Sequence, residues 1–237
     1  TLAGAARLGS GNLSSAVLNN GALVFAGDAD QTLAGTVSGS GSLTLNGAGT
    51  LTLSGRTPYA GDTTLNAGRL VVSSGGSLSN SAVTLAAGTA LSLRVYSGDG
   101  AWSCKSLALG GGTVTASFFF YGASPSAVTA PLLVNGDLVN DGTLNVAVDG
   151  AALTNGVYPL IRYTGALTGS GTLGSVTLPN GGVATLVDNA GNKTIDLSVT
   201  TAVAPLVWNG GSGDWDIGLT ANWTGLRTTY LDGDLVR

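Results

Sequence analysis

The 237-residue sequence has no histidine, no glutamate and no methionine, and its one cysteine is Cys104. Without histidine there is no Ser-His-Asp or Cys-His nucleophilic machinery, and most zinc sites are ruled out. Without glutamate the 13 acidic groups are all aspartates, which leaves general acid–base chemistry a thin toolkit. A lone cysteine forms no internal disulfide, a usage compatible with export through an oxidising compartment. Charge is scarce as well. Lys, Arg and Asp make up 9% of the chain, against about 25% in ordinary globular domains, so Ser, Thr, Asn and Gly must supply the solvated surface. The net charge is −4, and two lysines and seven arginines are scattered instead of forming a basic stripe, which argues against nucleic acid as a partner. No run of 18 apolar residues offers a transmembrane segment, and no stretch keeps the i, i+3, i+4, i+7 spacing of an amphipathic helix.

What is present is glycine, 39 of them, within a chain that is 43% hydrophobic and therefore not disordered. Leu13, Leu23, Leu33 and Leu43 recur every ten residues, and the triplet Gly-x-Leu returns from Gly49, Gly68, Gly76, Gly136, Gly142, Gly165 and Gly171. Glycine is expected to supply a positive-φ corner, with the leucine after it turning inward as a strand begins. In Leu43-Thr44-Leu45, Leu51-Thr52-Leu53 and Leu91-Ser92-Leu93 the apolar side chains share one face and the polar ones the other. Strands of about three to six residues, cut by Gly, Asn or Ser, predict an all-β fold. Their regular beat predicts a right-handed parallel β-helix, or β-solenoid, with coils of about 20 residues holding two or three strands each. At ~4.8 Å per coil, some 200 residues would build a rod of roughly 45 Å.

Two stretches leave this pattern. Residues 99–121 hold Trp102, Cys104 and the quartet Phe118-Phe119-Phe120-Tyr121. A strand through the quartet places Phe118 and Phe120 on one face and Phe119 and Tyr121 on the other. One pair must then leave the core, under a loop or at a contact surface. After Thr200, Val203-Ala204-Pro205 reads as a linker, and Trp208, Trp215 and Trp223 supply three of the four tryptophans. The expected division is a β-solenoid domain over 1–200, then a linker and the start of a following repeat module over 201–237. The chain opens Thr1-Leu2-Ala3 and reads as a segment of something larger.

Between residues 39 and 72, three motifs follow in order: Gly49-Thr50-Leu51-Thr52-Leu53-Ser54-Gly55, Tyr59-Ala60-Gly61-Asp62-Thr63 and Asn66-Ala67-Gly68-Arg69-Leu70. In order and spacing this stretch resembles the autotransporter-associated β-strand repeat. Residues 157–163 through 197–199 are similar to what commonly follows such repeats. The segment from Trp208 to Trp223 resembles the opening of another unit in large multi-repeat proteins. The resemblance implies a β-helical passenger of a bacterial protein, extracellular or on the cell surface, often adhesive or structural. Its partners would be neighbouring repeat modules of the same protein and a host or cell-surface protein or glycan.

Candidate chemistry is sparse. The acidic pairs are Asp28 with Asp30, Asp137 with Asp141, and Asp214 with Asp216. Such pairs offer oxygens to a hard cation, but Gly-Asp and Asp-Gly are foremost turn residues. None sits in a calcium-binding motif, so no metal and no cofactor is expected. Lys105 and Lys193 raise the idea of Lys–Asn isopeptide bonds, which normally need a nearby acid, commonly the absent glutamate. Sequons at Asn12, Asn192 and Asn222 read as chance matches in a bacterial protein. Tyr59, Tyr96, Tyr121 and the late tryptophans could stack on sugar rings, although packing is the commoner use of such tryptophans. The contact candidates are Phe119, Tyr121, Trp208, Trp215 and Trp223. The chain is therefore expected to be no enzyme but a structural or adhesive module. A carbohydrate-binding module ranks second. A polysaccharide-degrading β-helix ranks third, since it would need several aspartates converging with an arginine in one groove.

Overall fold

Leu43, Leu45, Leu51 and Leu53 are buried, while Ser42, Thr44, Thr50 and Thr52 between them remain half-exposed. The computed structural model, which describes residues 1–73, 77–202, 207–208 and 222–224, assigns these two leucine pairs to different parallel sheets. The ten-residue beat is half a coil. Leu13 pairs in register with Leu33 in one sheet, and Leu23 with Leu43 in the other.

The first sheet runs, neighbour to neighbour, through Asn12–Leu13, Gln31–Leu33, Thr50–Leu53, Arg69–Ser73, Ala90–Tyr96, Thr113–Tyr121, Thr143–Asp149 and Thr172–Thr177. The second runs through Ala22–Phe25, Ser42–Leu45, Thr63–Leu65, Leu78–Leu85 and Trp102–Leu109. It then forks, since Trp102–Leu109 pairs with both Leu132–Val134 and Leu138–Asn140. The two sheets face each other across continuous rows of apolar side chains. One row is Phe25, Leu45, Leu65, Leu85 and Leu109; another is Leu51, Leu70, Leu91, Ala116 and Val146. Each buried leucine in such a row contributes about 1.5–3 kcal/mol. Among the described residues the one helical element is the 3-10 turn Gly9–Gly11. The fold is a parallel β-solenoid.

Glycine marks the corners for a different reason from the one expected. Of the Gly-x-Leu glycines, Gly11 (φ 97°) and Gly68 (φ 73°) are left-handed, whereas Gly21, Gly41, Gly49, Gly136, Gly142, Gly165 and Gly171 are not. The usual constraint is the coil beneath. A Cβ on Gly41 would collide with the carbonyl oxygen of Gly21, and one on Gly47 with that of Gly27. The backbone can stack at strand spacing at these corners only if no side chain intervenes.

Both ends depart from the repeat. Gln31 occupies the inward position that Leu51, Leu70 and Leu91 take in later coils. Its amide accepts from the Leu8 N–H (2.7 Å) and donates to the Leu8 carbonyl (3.1 Å), holding the first residues across the first coil. At the other end, the parallel coils expected up to residue 200 give way to antiparallel pairing. Gly156–Tyr163 pairs antiparallel with Thr194–Thr201, which pairs antiparallel with Val183–Asn189. The turn Ala190-Gly191-Asn192 with the left-handed Lys193 (φ 55°) reverses the chain there, and the Asn192 N–H donates to Asn189 Oδ1 at 3.3 Å. Strands also exceed the expected length, reaching nine residues in Thr113–Tyr121.

Gly41→Ala should destabilise the fold by about 1–3 kcal/mol, the usual cost of forcing a group into filled space. Gly21→Ala, with nothing within 4 Å of the added carbon, should change stability by less than about 0.5 kcal/mol. Urea midpoints of the two variants check the contrast, and equal midpoints would refute the corner argument.

Candidate partner-binding corner

The coil period is not constant, and the changes gather in one place. Asp28 and Asp30 reach backbone amides 20 residues on, whereas Asp137 reaches one 29 residues on and Asn145 one 30 residues on. Added residues appear in the loops 97–101, 122–131 and 150–155. These leave Ala90–Tyr96, Thr113–Tyr121 and Thr143–Asp149, neighbouring strands of the first sheet, at their C-terminal ends. Parallel pairing therefore stacks three successive loops at one corner. In solenoids, insertions collected on one face are often the binding surface.

The aromatic quartet enters this corner. Phe118 and Phe120 are buried in the core, Phe119 is half-buried on the outer face, and Tyr121 is 48% exposed. Phe119 lies in register between Arg94 and Asp149. Tyr121 pairs in register with Tyr96, itself 40% exposed, and their rings stack at 5.1 Å and 21°. Of the expected contact residues among those described, Tyr121 is thus the one displayed most openly. The sequence marks Tyr96 only as a generic stacking residue. Its partner lies 25 residues on, a spacing that the 20-residue beat does not predict.

Two clefts flank the loop 122–131. One, of about 400 Å³, lies against loop 97–101 and is lined by Tyr96, Ser97, Asp99, Ser124, Ser126 and Thr129 among others. Asp99 Oδ2 accepts from the Tyr96 N–H at 3.2 Å, and Ser126 Oγ accepts from the N–H groups of Val128 (3.1 Å) and Thr129 (3.0 Å), so both loops are braced. The other, of about 370 Å³, lies between Ala127-Val128 and the antiparallel strands, where Arg162, Asn192 and Asp196 line it. Asp196 is 3% exposed; its Oδ2 accepts from Asn189 Nδ2 at 2.9 Å, while its Oδ1 has no hydrogen-bond partner. Nothing in the local sequence marks Asp196, which occupies an outward position in an alternating strand.

Other candidates are committed to the scaffold. Asp28 Oδ1 accepts from the Ala48 N–H (2.9 Å) and Asp30 Oδ1 from the Thr50 N–H (2.7 Å). Asp137 and Asp141 likewise accept from Ala166 (2.8 Å) and Ser170 (3.4 Å). These carboxylates fasten each coil to the next. Asp214, Asp216 and Trp215 lie outside the described residues. Among the described residues no group of three or more His, Cys, Asp or Glu is placed to hold a metal ion. Lys193 Nζ donates to the Thr164 and Gly165 carbonyls (2.9 and 3.0 Å), beside an opening of about 610 Å³ at the end of the last parallel coil. Trp208 and Trp223 pack edge to face at 5.2 Å, joined by the antiparallel pairing of Val207–Trp208 with Trp223–Thr224. Trp223 is buried.

The motif residues are structural too. Tyr59 is buried, and its hydroxyl pairs with Thr63 Oγ1 (2.6 Å), which pairs in turn with Ser81 Oγ (2.7 Å). Asn66 Nδ2 donates to Asn46 Oδ1 at 2.8 Å across one coil. A Cβ on Gly55 would meet the carbonyl oxygen of Gly35, and one on Gly61 that of Gly41. Gly61 and Thr63 of the Tyr-x-Gly-x-Thr motif, and Asn66 and Gly68 of the Asn-x-Gly-x-Leu motif, each meet a neighbouring coil.

These features define a parallel β-solenoid. The passenger-associated-transport-repeat model matches residues 43–72, which fits an autotransporter passenger repeat and a secreted or surface-exposed protein. No curated protein and no solved structure matches the chain. Among the described residues no helix is long and apolar enough to cross a membrane.

Burial pushes the Cys104 thiol from 9.0 up to about 12 and the Tyr59 phenol from 10.0 up to about 12, the latter despite hydrogen bonds from Thr63 and Ser81. Both groups keep their protons in the fold at a pH where the unfolded chain has lost them. Their stabilising contribution is thus complete below pH 9 and falls away as pH rises toward 12. Cys104 should resist a thiol-reactive probe at pH 8 in the native protein and react fully in urea. Rapid native labelling would contradict the burial.

Proposed function

We propose that the chain is a non-catalytic structural and adhesive module of a passenger displayed on the bacterial cell surface. The solenoid sets distance and rigidity, neighbouring modules of the same protein continue it, and the loop corner meets the partner. The observation that carries this reading is the division of labour between residues. The repeat motif and the two described acidic pairs are spent on fastening coil to coil, while the insertions and exposed tyrosines collect at one corner. A carbohydrate-binding role is the second reading, favoured by the stacked Tyr96–Tyr121 pair beside a hydroxyl-lined cleft. Catalysis by the aspartates is disfavoured because those at the corners already serve backbone amides.

Beads coated with the chain should attach to cultured host cells. Tyr96→Ser/Tyr121→Ser should reduce attachment at least tenfold without moving the urea midpoint. Attachment that survives the double change would place the contact elsewhere on the solenoid.

A further inference from the structure

We propose that loop 122–131 is the centre of a binding site for a neutral oligosaccharide, with one subsite on each flank. This deepens the adhesive reading and rests on it for the biological role, though not for the binding itself.

The first flank offers what a sugar ring needs from a surface. Tyr96 and Tyr121 form an exposed, mutually stacked aromatic plate. An apolar sugar face can lie against such a plate. Beside it the 400 Å³ cleft presents the side chains of Ser97, Asp99, Ser124, Ser126 and Thr129 with no lysine or arginine. Its volume falls in the range of small-molecule sites.

The second flank supplies an independent observation. Asp196 lines the 370 Å³ cleft, is more than nine-tenths buried and leaves Oδ1 without a partner. A buried acceptor left unmatched keeps the cost of its lost hydration, so a donor is wanted there. Arg162, in the same cleft, can only donate. A hydroxyl is neutral and both donates and accepts at one oxygen, and adjacent hydroxyls repeat that pair around a sugar ring. A pair of neighbouring hydroxyls can therefore donate a hydrogen bond to Asp196 and accept one from Arg162. An ammonium ligand would meet repulsion from Arg162, and a carboxylate or phosphate ligand from Asp196. A proline-rich peptide could lie on the tyrosines, but its prolines carry no N–H to offer Asp196. One loop forms a wall of both clefts, so a ligand of several rings can engage both flanks.

The test is calorimetric titration of the full chain with neutral mono- and oligosaccharides from a graded panel, a proline-rich peptide, and a free amino acid. The expected result is saturable binding that tightens at least tenfold from a single ring to a short chain. Tyr96→Ala/Tyr121→Ala and, separately, Arg162→Gln should each weaken the oligosaccharide at least tenfold. Asp196→Asn should do the same provided its melting curve stays native. Arg162 is exposed, so its variant reads the second flank even if the Asp196 variant does not fold. The proposal is overturned if no neutral saccharide binds, if only the peptide or the amino acid binds, or if just one flank matters. Cell attachment that persists without any saccharide binding would sink this inference and leave the adhesive reading intact, with a protein as the partner.

Discussion

Coils that follow one another at a single strand spacing leave about 4.8 Å between equivalent backbone atoms. Most of the architecture answers to that distance. Any residue on the surface of one coil has its counterpart in the next coil directly above it. Side chains at the tight corners have no room, hence Gly41 above Gly21 and Gly47 above Gly27. Where a corner has room, an Asp or Asn fills it by accepting from the next coil's amide, as Asp28 and Asp30 do. The same distance accounts for the low charge. Identical charges stacked at this spacing repel, so the outward rows are built from threonine, as in Thr44, Thr64 and Thr84.

Much of this was legible because the constraint writes itself into the sequence as a period. The leucine beat reports the two sheets, and the alternation in residues 118–121 separates the pair Phe118 and Phe120, which is buried, from Phe119 and Tyr121. The glycine corners were visible but their reason was not. Conformational freedom and lack of room select the same residue, and only the stacked coil tells them apart. Antiparallel closure was likewise hidden, since Gly156–Tyr163 and Thr194–Thr201 alternate in the same way whichever direction they pair.

The candidate site was less legible, for a related reason. A site built by insertions interrupts the period that made the scaffold readable. Tyr96 and Tyr121 meet because the coil between them is longer than its predecessors, and Asp196 is buried in a fold of long-range contacts that no local pattern records. Scaffold and site thus divide along one line: regular residues hold coils together, and irregular ones face outward. The repeat match at 43–72 falls wholly on the regular side, which is why it indicates a passenger and leaves the ligand open to the corner loops.

The coil step itself is the quantity to measure. Nitroxide labels at Thr44 and Thr84, outward positions two coils apart, should lie on backbones about 10 Å from each other. Dipolar broadening in the continuous-wave spin-resonance spectrum, absent from either single label, is the predicted result. A doubly labelled chain whose spectrum equals the sum of the two singles would place these residues far apart and contradict the stacked-coil account.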